Sequence, residues 1–250
     1  MSSVAPDTER ETVDRLVRRT VFTPVRGAGA VAETVARLGE AIGLGLLKPG
    51  DRLPSETQLA SALGISAASL RSALVVLRSA GLIETRRGRG GGTFITPGAA
   101  DAVLPTAEAP DAQAIEDLAT ERAVVEGGAA ALAAERATPD QCALLQSIVD
   151  GMAGLQPFDQ WAERDALLHL VIGDASGSPR LVARIADLRA EAYRISRALP
   201  TTAEVLAIAD REHAEIVRAI AAHRSARART LMEAHVRGTA RLQAGLGRVA

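Results

Sequence analysis

The chain has 250 residues, a formal net charge of −1, and 47% hydrophobic but only 2% aromatic residues, a size and composition that allow more than one domain with aliphatic cores. Its single cysteine, Cys142, excludes an internal disulfide framework and fits a reducing cytoplasm. Residues 1–25 are polar and arginine-rich without the apolar core of a signal peptide, so they read as a mobile or partly helical leader, and the apolar run near Ile42 is too short for a membrane partner.

Val31, Val35, Leu38, Ile42 and Leu46 share one helical face, and Pro49, Gly50 and Asp51 end that first helix with turn chemistry. A second helix opens at Pro54 and Ser55, with Gln58 at the capping-box position and Leu59, Ala60 and Leu63 on its apolar face, and stops at Gly64. Ser66 is an N-cap for a third helix that buries Leu70, Ala73, Leu74 and Leu77 and leaves Ser69, Arg71, Ser72 and Arg78 on a polar face. After Gly81, the runs LIET and TFI flank RRGRGGG, which predicts a hairpin whose loop carries Arg86, Arg87 and Arg89. Helix, turn, helix and basic glycine-rich hairpin form the layout of a winged helix-turn-helix that grips double-stranded DNA. Between Arg26 and Ile95, nine basic side chains stand against five acidic ones, inside a chain that is acidic elsewhere, as a local phosphate-binding surface requires.

Residues 97–110, rich in alanine, proline and glycine, read as a linker between a DNA-binding domain at 26–96 and a second domain at 111–250. Helical periodicity without strand-like alternation predicts that the second domain is an all-α bundle. Its helices are expected near 112–135, 138–153, 157–174, 178–197, 201–223 and 225–246, with breaks at Thr138–Pro139, Pro157, Ser176–Pro179, Pro200 and His223–Ser225. The fold class is therefore mainly α, with three helices and a small β-hairpin in the first domain.

All four histidines lie in this second domain. Asp165 and His169 stand four apart, side by side on one helical face, and His213 and His235 sit in helices whose same side is otherwise apolar, so their imidazoles point inward and need partners. Three neutral imidazoles and a carboxylate suit a divalent transition ion such as zinc, nickel or manganese. The same residues taken singly fit hydrogen-bonded core histidines and an ordinary surface pair.

The first domain resembles the GntR family of bacterial transcription regulators through Pro49, Gly50, Leu53–Glu56, Leu59, Ala60, Gly64–Ser66, Leu70, Arg71, Ala73, Leu74, Leu77 and Gly81–Ile83. That resemblance implies that Arg71 contacts bases or phosphates, Ser66 bonds a phosphate, and the wing around Gly88 enters the minor groove. With Ser55, Thr57, Ser69, Arg87 and Arg89, these residues make up the candidate DNA-binding set. Thr57 and Ala67 stand where many relatives carry arginine, which shifts base reading toward Arg71 and the wing.

The second domain resembles the FCD ligand-binding domain of the branch named after FadR, through ERAVVEGGAAALAAERAT, the D-x-x-x-H followed by ASGS, EH-x-x-I-x-x-AI, and the run ending at His235. In metal-containing members these motifs bind the ion, which carries over to Asp165, His169, His213 and His235, with zinc the first expectation, and leaves His223 at the surface. Arg122 falls where relatives carry an arginine near the effector; it can bind a carboxylate in bidentate fashion or pair with Glu126 within its helix. Ser178 replaces the asparagine common in that turn.

The resemblances together imply a homodimeric, cytoplasmic transcription regulator, a repressor rather than an enzyme. It would bind a palindromic operator, and a small carboxylate, a hydroxy or sugar acid, would tune its affinity at the metal. One alternative keeps the fold and senses an acyl or other ligand without metal. Another uses the ion to hydrolyse a substrate, but no HExxH helix, nucleophile elbow or general base beside the ligands accompanies the cluster.

Overall fold

The computed structural model describes residues 6–25, 29–99, 102, 112–155, 158–197 and 202–246. Two compact units emerge, one made of residues 17–105 and the other of residues 1–16 with 106–250. Most of the linker expected at 97–110, and the breaks at Pro157 and Pro200, lie outside the described residues. The leader holds a helix, α1 (Pro6–Thr20), whose Leu16 is fully buried and whose Glu9 and Arg15 pair with Arg164 at 2.5 Å and Asp174 at 3.0 Å within the larger unit. The partly helical alternative for this leader is the one the structure takes, and these pairs hold it.

The smaller unit contains α2 (Ala30–Gly43), α3 (Glu56–Leu63), α4 (Ala67–Ser79), β1 (Ile83–Arg86) and β2 (Gly92–Ile95). Local chemistry sets these boundaries. Ser55 and Gln58 form a complete capping box at the start of α3, and Gly64 closes it at φ 65°, a left-handed position suited to glycine. Ser66 Oγ then accepts from the Ser69 N–H at 3.0 Å and opens α4. The apolar stripe Leu70, Ala73, Leu74 and Leu77 is buried, and α4 packs on α2 and α3 with its N-terminal polar side left open. The strands pair antiparallel from Ile83 opposite Ile95 to Arg86 opposite Gly92.

The larger unit is an all-α bundle of α5 (Ala112–Arg136), α6 (Pro139–Asp150), α7 (Phe158–Ala175), α8 (Pro179–Arg197), α9 (Ala203–Ala221) and α10 (Ser225–Leu246). The fold is mainly α, as the periodicity requires. Thr138 caps α6 with Gln141 in a second capping box, and His223, at φ 55°, marks the turn between α9 and α10. Helix α5 runs close along α10 because its inner face is small: a Cβ at Gly127 would lie 2.8 Å from Glu233 Cγ. Helix α7 is buried on every side from Asp165 to Ala175, so any polar group on that stretch faces other helices rather than water.

Candidate functional site

In the smaller unit, the DNA-facing candidates cluster where the sequence places them. Ser66 and Ser69 sit at the first turn of α4 with their hydroxyls 2.9 Å apart, and the exposed Arg71 folds its Nε back onto the Ala67 carbonyl at 3.2 Å. Ser55 and Thr57 are exposed at the start of α3. Arg87, Gly88 and Arg89 form the exposed turn between β1 and β2, where Gly88 takes φ 95°. Arg86, expected in the mobile loop, belongs to β1 instead; it bonds Glu84 at 2.6 Å and stacks on Phe94 with its guanidinium carbon 4.5 Å from the ring centroid. The base of the wing is thus tied by an ion pair and a ring contact, and Arg87 and Arg89 are exposed at its tip.

The larger unit brings the four predicted ligands together in its interior. Asp165 and His169 come from one face of α7, His213 from α9 and His235 from α10; all four are buried, and one ligand atom from each lies within 4.8 Å of the others. His213 Nε2 is 3.2 Å from His235 Nε2 and 3.3 Å from Asp165 Oδ1, and His169 Nε2 is 3.5 Å from the same oxygen. Donors bound to one ion at about 2.0–2.2 Å in tetrahedral or octahedral geometry sit roughly 3.0–3.5 Å from each other, so this spacing fits a shared transition ion.

The outward nitrogens support that reading. His235 Nδ1 meets Glu212 Oε2 at 2.8 Å and His169 Nδ1 lies against Glu126 Oε2, an arrangement in which each Nδ1–H faces an accepting carboxylate and the Nε2 lone pair faces inward. Among the described residues His213 Nδ1 has no hydrogen-bond partner; its ring stacks on Trp161 with centroids 6.0 Å apart. Burial, together with repulsion from neighbouring imidazoles and arginines, holds the His213 and His235 pKa values well below the usual histidine range, so both are neutral, ligand-ready bases at pH 7.

Two buried arginines complete the cluster. Arg122 Nε bonds Glu126 Oε1 at 2.6 Å, and an Arg189 amino group lies against Asp165 Oδ2. Burial alone would raise the Glu126 pKa, but Arg122, His169 and Arg189 override it and hold the carboxyl well below the ordinary value. Burial, and then the Arg122 charge, pushes Arg189 down to about 9. A cavity of about 330 Å³ opens beside the cluster; Arg122, Asp165, Arg189, Glu212 and His235 are among the side chains that line it. Arg122 therefore both pairs with Glu126 within its helix and faces the cavity.

Sequence reasoning missed Glu126 as a histidine partner, and missed Arg189, Glu212 and Trp161 altogether. The readable signal was Arg189 itself, a cation inside the apolar stripe Val182, Ile185, Leu188 of α8. His223, placed outside the ligand set, is exposed and bonds the Ala134 carbonyl at 2.8 Å. No single helix among the described residues is long and apolar enough to cross a membrane.

Comparison with known proteins agrees with both domains. The profile described as bacterial regulatory proteins, gntR family, matches residues 30–95, and the FCD domain profile matches residues 107–238. The HTH-type transcriptional regulator RmpR of Mycobacterium gastri is 35% identical over 81% of this chain and 76% of its own length. LutR of Bacillus subtilis is 29% identical over 77% of this chain and 91% of its own. Among solved structures, Escherichia coli McbR/YncC superposes with a TM-score of 0.53 at 22% identity, covering 87% of this chain and 98% of that one, a likeness of fold. The chain belongs to the GntR family of bacterial transcription regulators, with an FCD domain behind its winged helix-turn-helix.

Proposed function

We propose that this regulator is a metal-dependent sensor of an organic carboxylate that represses transcription until the ligand binds. The observation that carries this reading is the buried cluster of one carboxylate and three imidazoles, with Nδ1 positions of two rings held by Glu126 and Glu212 and with two arginines at the adjoining cavity. Asp165, His169, His213 and His235 would hold a divalent ion, zinc before nickel or manganese. The ion would supply a Lewis-acidic centre with vacant positions for ligand oxygens.

Charge balance favours an anion there. Arg122, Arg189 and a divalent ion would carry four positive charges against three on Glu126, Asp165 and Glu212, with His213 and His235 neutral, leaving one excess positive charge for a carboxylate to neutralise. One relative supports the ligand class by name: it is called a regulatory protein of an L-lactate dehydrogenase operon, and it is 38% identical over 52% of this chain and 52% of its own length.

On the DNA side, Ser55, Thr57, Ser66, Ser69 and Arg71 would approach the major groove while Arg87, Gly88 and Arg89 follow the backbone into the minor groove. A homodimer would present two such units to a palindromic operator. Fluorescence anisotropy with DNA from the chain's own upstream region tests the coupling. Carboxylate added to metal-loaded protein should weaken operator binding about 5- to 150-fold, and Arg122→Ala should abolish that response. An operator affinity indifferent to metal and to every carboxylate contradicts the reading.

A further inference from the structure

The cavity beside the cluster is lined by two chemically different sets of side chains. One set includes Arg122 and Arg189, 4% and 7% exposed, and among the described residues the Arg189 Nε has no hydrogen-bond partner. An unpaired buried guanidinium N–H costs stability unless something accepts from it. The other set is apolar: Phe158, Trp161, Leu206, Ile208 and Leu242. Ile208 and Leu242, at 39% and 41%, are among the large hydrophobic side chains that stay exposed.

Polar groups along the wall are engaged within the protein. The Trp161 Nε1–H donates to Asp210 at 2.8 Å, Gln243 donates to Ser196 at 2.8 Å, and the Thr239 hydroxyl donates to the His235 carbonyl at 3.1 Å. Apart from the Glu212 carboxylate, the hydroxyls of a sugar acid would have to compete with these internal bonds. A three-carbon hydroxy acid would meet the arginines but leave the apolar lining wet, in a cavity of about 330 Å³ that reaches the range of roughly 300–1,000 Å³ typical for larger organic ligands.

We infer that the ligand is an amphipathic carboxylate, with its anionic head at Arg122 and Arg189 and an alkyl or aryl body of several carbons against Trp161, Leu206, Ile208 and Leu242. The inference rests on the carboxylate-sensor reading and narrows its ligand class. Each guanidinium has five N–H donors, so pairing with Glu126 or Asp165 leaves donors for an incoming carboxylate. Burial of each further methylene against the apolar wall then adds affinity.

Isothermal titration calorimetry on the full chain loaded with zinc tests this, with butanoate, hexanoate, octanoate, L-lactate and gluconate as probes. Affinity should rise about three- to fourfold per methylene from butanoate to hexanoate, exceed that for L-lactate and gluconate, and fall for every probe in Arg122→Ala. The double variant Ile208→Asp, Leu242→Asp, both at partly exposed positions, should flatten the chain-length series. L-lactate or gluconate binding more tightly than hexanoate overturns the inference and leaves the carboxylate-sensor reading standing. A chain-length series that survives the double variant overturns the assigned wall. Absence of binding by all five probes overturns the sensor reading and the inference together.

Discussion

Glu126 shows how much one side chain can carry at this site. It is 1% exposed, pairs with Arg122 on its own helix, and lies against His169 Nδ1 on α7, so it fixes the ring that presents Nε2 to the cluster. Replacing it by glutamine keeps the shape but removes the charge. Glu126→Gln should weaken metal affinity about 10- to 100-fold, measured by competition with a chromophoric chelator; unchanged affinity would leave Glu126 a partner of Arg122 alone. The imidazoles make a pH prediction. His213 and His235 have folded pKa values depressed below 6.5 by burial, so the unfolded chain binds more protons than the folded one as pH falls. Stability from this source is complete above pH 6.5 and declines below it, by up to about 1.4 kcal/mol per pH unit for each ring. Metal-free protein should therefore lose Tm between pH 7 and pH 5.5, and a flat profile would contradict the burial of the two rings. Asp165 and His169 were legible in the sequence because four-residue spacing puts them on one helical face. Glu126, Arg189 and Glu212 were not, because what joins them to the histidines is contact between separate helices.

Helix ends were the most readable elements, since their signals act over three or four residues. Ser55 with Gln58 and Ser66 cap where the sequence places them, and Thr138, expected as part of a helix break, caps α6 with Gln141. Ser66→Ala should cost about 1 kcal/mol through loss of the cap on α4, seen as a lower denaturation midpoint. Operator affinity should fall as well, since the same turn carries the DNA-facing side chains. Helix–helix packing was less readable. The alanine- and glycine-rich α5 has no strong apolar stripe, yet it runs close along α10, and a methyl at Gly127 would meet Glu233 Cγ at 2.8 Å. Gly127→Ala therefore pits better helix propensity against overpacking. Overpacking should win, with a net loss of about 1–3 kcal/mol in chemical denaturation; a gain in stability would show that α10 yields freely. The leader, read as mobile or partly helical, holds the helix α1, and Glu9 and Arg15 on it find partners on α7 of the larger unit that no local pattern announces.

At the scale of the whole molecule, the chain joins a basic DNA-binding unit to an acidic helical one, and the division of labour follows from where charge and burial lie. The wing tip carries Arg87 and Arg89 exposed, so removing either should lower the slope of log affinity against log salt by about 1 while weakening binding to all sequences alike. Arg71→Ala on α4 should instead reduce discrimination between operator and unrelated DNA. Both are read from salt titrations with specific and non-specific duplexes; equal effects from all three substitutions would assign Arg71 to phosphate contact alone. The central claim, however, concerns the interior of the helical unit, where Asp165 and three histidines from α7, α9 and α10 meet. The direct measurement is elemental analysis by mass spectrometry on protein purified without a histidine tag or chelator, beside Asp165→Ala and His213→Ala. Close to one transition-metal ion per chain is expected in the native protein, and loss of that ion in both variants. Native protein that holds no metal even after reloading, or variants that retain it in full, would rule out a metal site at these four residues.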